Sequence, residues 1–204
     1  MSAYQAVMFD LLTALIDSWT LWNNVAGSPE AGMRWRRRYL ELTYQAGRYV
    51  PYEGLVVRAA ADTGMADGVA AELARRWDKL PPWPETLAVL TELERRVPLA
   101  VVTNCSQALG LRAAALTGVT YATVVTAESV GFYKPRPETY RAAIAALNIP
   151  PERILFVAGS AADVPGARGA GMPVYWHNRI GLKPINDAAP DYMETSLHRL
   201  LELV

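Results

Sequence analysis

The sequence contains a single cysteine, Cys105, so no disulfide can form within the chain, and a reducing compartment is expected. It has no excess of either charge. Lys+Arg and Asp+Glu are both 20, a formal net charge of zero, which removes the electrostatic signature of a nucleic-acid binder or of a protein drawn to anionic membranes. No uninterrupted apolar run approaches the roughly 18 residues needed to cross a bilayer. The opening MSAYQAVMFD lacks the basic region and long apolar stretch of a secretory leader. Histidine is scarce too: His177 and His198 each stand alone, and neither reads as a metal ligand. Together these absences point to a soluble cytoplasmic protein without nucleic-acid or membrane partners.

What is present is an ordinary globular composition, 51% hydrophobic and 20% charged over 204 residues, enough chain for a substantial core. Short β-branched runs recur as QAVMFD (5–10), LAVVTN (99–104), ATVVT (122–126), ILFVAGS (154–160) and PVYWHN (173–178). Segments with helical periodicity lie between the later runs, at 106–116, 137–147 and 162–171. Apolar runs alternating with helices predict an α/β protein with a parallel sheet covered on both faces. Residues 19 to about 80 differ: amphipathic stretches dominate, Pro29 and Pro51 break them, and LPPWPET (80–86) reads as a hinge. The expected organisation is a core of 1–15 and 84–204, with a helical cap of 16–83 inserted after the first strand.

Open parallel sheets bind ligands beyond the carboxyl ends of their strands, so the residues that terminate the runs carry the functional expectation. Asp10, Thr103, Asn104 and Ser160 end runs, Asp163 opens the helix after the fourth run, and Lys134 lies in GFYKPRPETY after the third. Two acids, a few small polar groups and one base therefore converge on one edge of the sheet, where the insert can cover them. Cys105, beside Asn104, reads as a small buried residue rather than a nucleophile.

The segments FDLLTALID, WRRRYLELT, RYVPY, VVTNCS, YKPRPETY, ILFVAGSAADVPGARGAGMPVYWHNR and APDYMETSLHRLLEL, in this order, resemble the haloacid dehalogenase superfamily, and within it the L-2-haloacid dehalogenases. The resemblance implies a Rossmann-like core with a helical cap. It implies that Asp10 attacks C2 of a 2-haloacid, expels halide and forms an ester that water opens to a 2-hydroxy acid. Lys134 would keep Asp10 ionised, Arg36 would hold the departing halide, and Asp163 would position Lys134 or the hydrolytic water. Thr103 and Asn104 would bind the substrate carboxylate. Leu12, Thr13, Leu40, Tyr52, Tyr140 and Ser160 complete the expected substrate-binding set. The resemblance also implies a homodimer, to which Trp19, Trp22 and Trp35 would contribute an apolar patch.

Two positions separate dehalogenases from the superfamily's phosphatases. Leu12 stands where a phosphatase carries its general acid, and Gly159 where it carries a Mg²⁺-binding Asp. A departing halide needs neither a proton nor a metal, so no metal and no cofactor are expected. Departures within the dehalogenase pattern, Ala14 for the motif threonine, Ala158 and Ser160 for a serine and an asparagine, and Ala162 for a tryptophan, predict a roomier, less polar site. They also leave two alternatives open: a phosphatase of small organic phosphates with a degraded metal site, and a non-catalytic member that binds a small anion or a partner.

Overall fold

The computed structural model describes residues 3–185 and 187–204; residues 1 and 2 of the expected core segment 1–15 lie outside it. Six strands form one sheet: β1 (Ala6–Asp10), β2 (Leu99–Thr103), β3 (Thr123–Thr126), β4 (Ile154–Ala158), β5 (Val174–His177) and β6 (Tyr192–Glu194). Their order is β3-β2-β1-β4-β5-β6 and every neighbouring pair is parallel. The near-continuous apolar runs follow from burial on both faces. Val7 and Phe9 of β1 pack into one hydrophobic cluster and Ala6 and Met8 into the other, the two-residue alternation of a strand. β1 sits at the centre, between β2 and β4, where the strand order reverses. That reversal opens a crevice at the carboxyl ends of β1 and β4.

Helices α1 (Ser18–Ala26), α2 (Pro29–Gln45), α3 (Tyr52–Asp62) and α4 (Val69–Arg75) separate β1 from α5 (Thr86–Glu94). The breaks read from the prolines are helix starts. Pro29 occupies the first turn of α2 behind the Ser28 cap, whose hydroxyl accepts from Ala31 N at 3.2 Å, and Pro51 precedes α3. These helices bury aromatic side chains in the cluster that also covers one face of the sheet: Trp35 donates to the Val56 carbonyl at 3.0 Å and lies 4.5 Å from Trp22 between ring centres. Trp22 and Trp35 are buried there, which corrects the expectation that they form an exposed patch for dimerisation. The chain enters and leaves the insert side by side: Ile16 bridges Pro82 in antiparallel fashion, Asp17 N donates to Pro81 O at 2.8 Å, and Trp83 N donates to Leu15 O at 3.0 Å.

The remaining helices are α6 (Gln107–Ala115), α7 (Ala127–Val130), α8 (Pro137–Leu147), α9 (Asp163–Gly169) and α10 (Leu200–Leu203). β6, a three-residue edge strand only partly buried, is not among the strands expected from the apolar runs. No helix among the described residues is long and apolar enough to cross a membrane.

Candidate active site

Asp10 ends the central strand and is 6% exposed. The chain turns sharply after it, so that one carboxylate oxygen, Oδ2, accepts from Thr13 N at 2.9 Å, Thr13 Oγ1 at 2.5 Å and Ala14 N at 3.1 Å. The other oxygen, Oδ1, accepts from Lys134 Nζ at 2.8 Å. The turn is held from behind, where Trp83 Nε1 donates to Thr13 O at 3.0 Å and the His177 imidazole Nδ1 to Ala14 O at 2.8 Å. Its other side lies against Gly159. A Cβ at that position would fall 2.2 Å from Ala14 N and 2.3 Å from Thr13 Oγ1, so the close approach of the two segments needs glycine.

Lys134 joins the two acids. Its Nζ donates to Asp163 Oδ2 at 3.1 Å and lies equally close to Oδ1. Asp163 also accepts from Tyr140 OH at 2.9 Å and from Ser160 Oγ at 3.0 Å. Burial opposes ionisation of both carboxyls. At Asp10 the Lys134 cation and the hydrogen bonds from Lys134 and Thr13 outweigh it, and the pKa is lowered. At Asp163 burial, with the neighbouring Asp10 charge, outweighs Lys134, and the pKa is raised. Burial also disfavours the Lys134 cation, but the two carboxylates overcome it and hold the ammonium charged.

Arg36 reaches the same space from α2. Three consecutive arginines separate by direction, as about 100° per residue requires: Arg36 is 8% exposed, Arg37 is exposed, and Arg38 turns away to Asp62 at 2.7 Å and Glu41 at 3.1 Å. The Arg36 guanidinium carbon lies 3.9 Å from the centre of the Trp19 ring, and Nη1 donates to Ser18 Oγ at 2.7 Å. Ser18 in turn donates to the Leu12 carbonyl. Among the described residues no carboxylate pairs with Arg36, and its Nε is buried without a hydrogen-bond partner. Burial lowers its pKa, with the Asp10 charge among the groups acting against that shift. A desolvated cation with a spare donor attracts an anion.

Asp10, Lys134, Asp163 and Arg36 line one cavity of about 60 Å³. Residues 8–171 match the family model of haloacid dehalogenase-like hydrolases. The chain belongs to the haloacid dehalogenase-like hydrolases. It is similar to (S)-2-haloacid dehalogenase H-109 of Pseudomonas putida, 30% identical over 198 residues that cover 89% of this chain and 88% of that one. It is similar to (S)-2-haloacid dehalogenase of Pseudomonas sp. (strain YL) at 31% over 189 residues, 85% of this chain and 81% of that one. In fold it matches an L-2-haloacid dehalogenase from Xanthobacter autotrophicus with a TM-score of 0.85, at 23% identity and 98% coverage of each chain.

In this haloacid dehalogenase-like hydrolase Leu12, Thr13, Leu40, Thr103, Asn104 and Ser160 also line the cavity. Two expected substrate contacts do not. Tyr52 is buried inside the insert, packed edge-on against Tyr39 at 5.3 Å and Trp77 at 6.1 Å, because α3 turns that face toward its neighbouring helices. Tyr140 is fully buried under Asp163 and reaches the site only through its hydroxyl. The Asn104 carboxamide is occupied as well: it accepts from Lys134 N at 2.6 Å and donates to Lys134 O at 3.0 Å, clamping the lysine's backbone instead of facing outward. Trp19, Tyr39, Tyr44 and Pro135 line the cavity without any signal in the sequence that marked them for it. Cys105 is buried, and burial pushes its thiol up to about 12, which leaves it unreactive.

Proposed function

We propose that the protein is a metal-independent 2-haloacid dehalogenase, hydrolysing a 2-haloalkanoic acid to the 2-hydroxy acid through an ester on Asp10. The observation that carries this reading is the buried, unpaired Arg36 guanidinium sharing a cavity with an ionised Asp10. Asp10 Oδ1 has one hydrogen bond and Oδ2 has three, so Oδ1 keeps the freer lone pair and is the attacking atom. It approaches C2 opposite the halogen, the carbon–halogen bond breaks, and the halide leaves with the electron pair, inverting C2. No proton is consumed. Arg36 receives the new anion, its flat and weakly hydrated cation suited to a dry site.

In the ester, Oδ2 becomes the carbonyl oxygen and keeps its donors from Thr13 and Ala14. Those donors polarise the carbonyl and stabilise the negative charge that forms there when water attacks. Asp163, whose raised pKa makes it a stronger base than an ordinary carboxylate, takes the proton from that water. The Cγ–Oδ1 bond then breaks, the alkoxide of the 2-hydroxy acid is protonated, and Asp10 is restored. Ser160 and Thr103 line the cavity, and their hydroxyls would turn from Asp163 and Cys105 to bind the substrate carboxylate. A cytoplasmic setting is in keeping with the lone buried cysteine.

The residues do not fit a phosphatase. The space an Asp at 159 would need is filled by Thr13 and Ala14, and Leu12 cannot donate a proton. Halide release from L- and D-2-chloropropionate and chloroacetate, with and without EDTA, tests the reading. Release is expected to persist in EDTA and to fall to background in Asp10→Asn. Absence of release from every haloacid, together with Mg²⁺-dependent phosphate release from an aryl phosphate, would sink it.

A further inference from the structure

A second cavity of about 280 Å³ adjoins the first. The two share Trp19, Arg36, Leu40, Tyr44, Ser160 and Ala162 as lining residues. Beyond that common wall the outer chamber is walled by Met33 of α2 and by Leu182 and Ile185 of the loop after β5, with Arg37 and Lys183 at its edge. Met33, Arg36, Leu40 and Tyr44 recur at three- and four-residue spacings, so one stripe of α2 runs through both chambers.

Size separates their roles. A water-sized group needs roughly 10–15 Å³ of such space. The inner cavity of about 60 Å³ therefore holds roughly four to six non-hydrogen atoms, which a carboxylate, C2 and a halogen already fill. A larger group on C2 has to leave it. The outer chamber, more than four times larger and walled chiefly by aliphatic and aromatic side chains, is where such a group would go. Ala162 stands between the two chambers, and its single methyl keeps the passage open. Ile185 is 44% exposed, an apolar surface that a substrate substituent would cover.

We propose that the outer chamber binds the C2 substituent, and that the preferred substrates are 2-haloacids carrying an extended apolar group, an alkyl chain of about four or more carbons or an aryl ring, ahead of haloacetate and 2-halopropionate. This rests on the dehalogenase reading for its chemistry, but the chamber itself can be tested without turnover. In the 2-bromo series, kcat/KM is expected to rise about threefold per added methylene that leaves water, roughly 30-fold from 2-bromopropionate to 2-bromohexanoate. Leu182→Trp and Met33→Trp, from opposite walls and outside the inner cavity, are each expected to lower the hexanoate-to-propionate ratio of kcat/KM at least tenfold. In parallel, calorimetric titration with the unreactive lactate and 2-hydroxyhexanoate measures occupancy alone, and the longer acid is expected to bind at least tenfold tighter. Affinity and kcat/KM that do not change with chain length would overturn the proposal, as would an unchanged selectivity ratio in both tryptophan variants. Tighter binding of 2-hydroxyhexanoate with no halide released from any 2-bromo acid would uphold the chamber and sink the dehalogenase instead.

Discussion

At Arg36 the polypeptide accepts the cost of burying a cation. Ser18 satisfies one of its donors and Trp19 lends a π face, which leaves the charge itself to be answered by something that enters the cavity. Arg36→Ala is expected to lower kcat by about 10²–10³, the scale of losing one preorganised charge-stabilising donor, measured as steady-state halide release. A variant with the wild-type rate would mean that the halide is held elsewhere. Asp10 and Asp163 were legible in the sequence because they sit at or shortly after a strand end, where the topology decides what faces the crevice, and Lys134 because it is the lysine of YKP in the loop before α8. Tyr39 and Tyr44 were not. Which residues of α2 face Asp10 depends on how the whole insert docks, and the residues of α2 alone do not record that rotation. Tyr52, expected to wall the substrate's alkyl group, packs between Tyr39 and Trp77.

At the scale of elements, the meeting of the Asp10 turn with the end of β4 is the tightest contact in the site. Gly159→Ala adds one methyl group, and that methyl cannot fit beside the Ala14 amide and the Thr13 hydroxyl. Overpacking of this kind costs about 1–3 kcal/mol, so the protein is expected to melt several degrees lower. Halide release is expected to fall further than stability, at least 100-fold, because the turn that moves aside carries the donors to Oδ2. Thermal melting and kinetics on the same preparation check this, and full activity would show that the turn has another way to settle. The strands β1 to β5 could be read from their β-branched apolar runs. β6 could not, because an edge strand of three half-buried residues has too short a run to show a period. The significance of Gly159 was legible only as the absence of an acid; that the Asp10 turn fills the vacated space is a fact of packing.

At the scale of the molecule, His177 ties distant parts together. It lies on β5, bonds the Ala14 carbonyl, and turns its other nitrogen toward Glu85 at 3.9 Å, a carboxylate that Arg179 already holds at 2.8 Å. A carbonyl only accepts, so Nδ1 carries a proton. Burial lowers the imidazole pKa below its ordinary value. The sign follows: as pH falls through about 6.5, the unfolded chain gains a proton that the folded protein resists, so stability declines on acidification. One group of this kind contributes a slope of at most about 1.4 kcal/mol per pH unit. Chemical denaturation between pH 7.5 and 5 is expected to show a shallower decline in His177→Gln than in the wild type. Equal slopes would place the titrating group elsewhere. The expected division at 16–83 rests on amphipathic segments replacing β-branched runs there; in the structure Ile16 bridges Pro82.

The place of β1 in the sheet also sets an order of events during synthesis. Val7 pairs with Leu99 on one side and Leu155 on the other, so β1 is made before either of its neighbours and completes its pairing only with β4. At about 5–20 residues per second, the stretch from β1 to β4 takes roughly seven to thirty seconds to synthesise. Until β4 is made, AVMFD can pair on one edge only, with β2, while the helices between β1 and α5 can already fold on one another. The position that makes Asp10 central to the finished enzyme therefore leaves one edge of its strand unpaired until most of the sheet has been made.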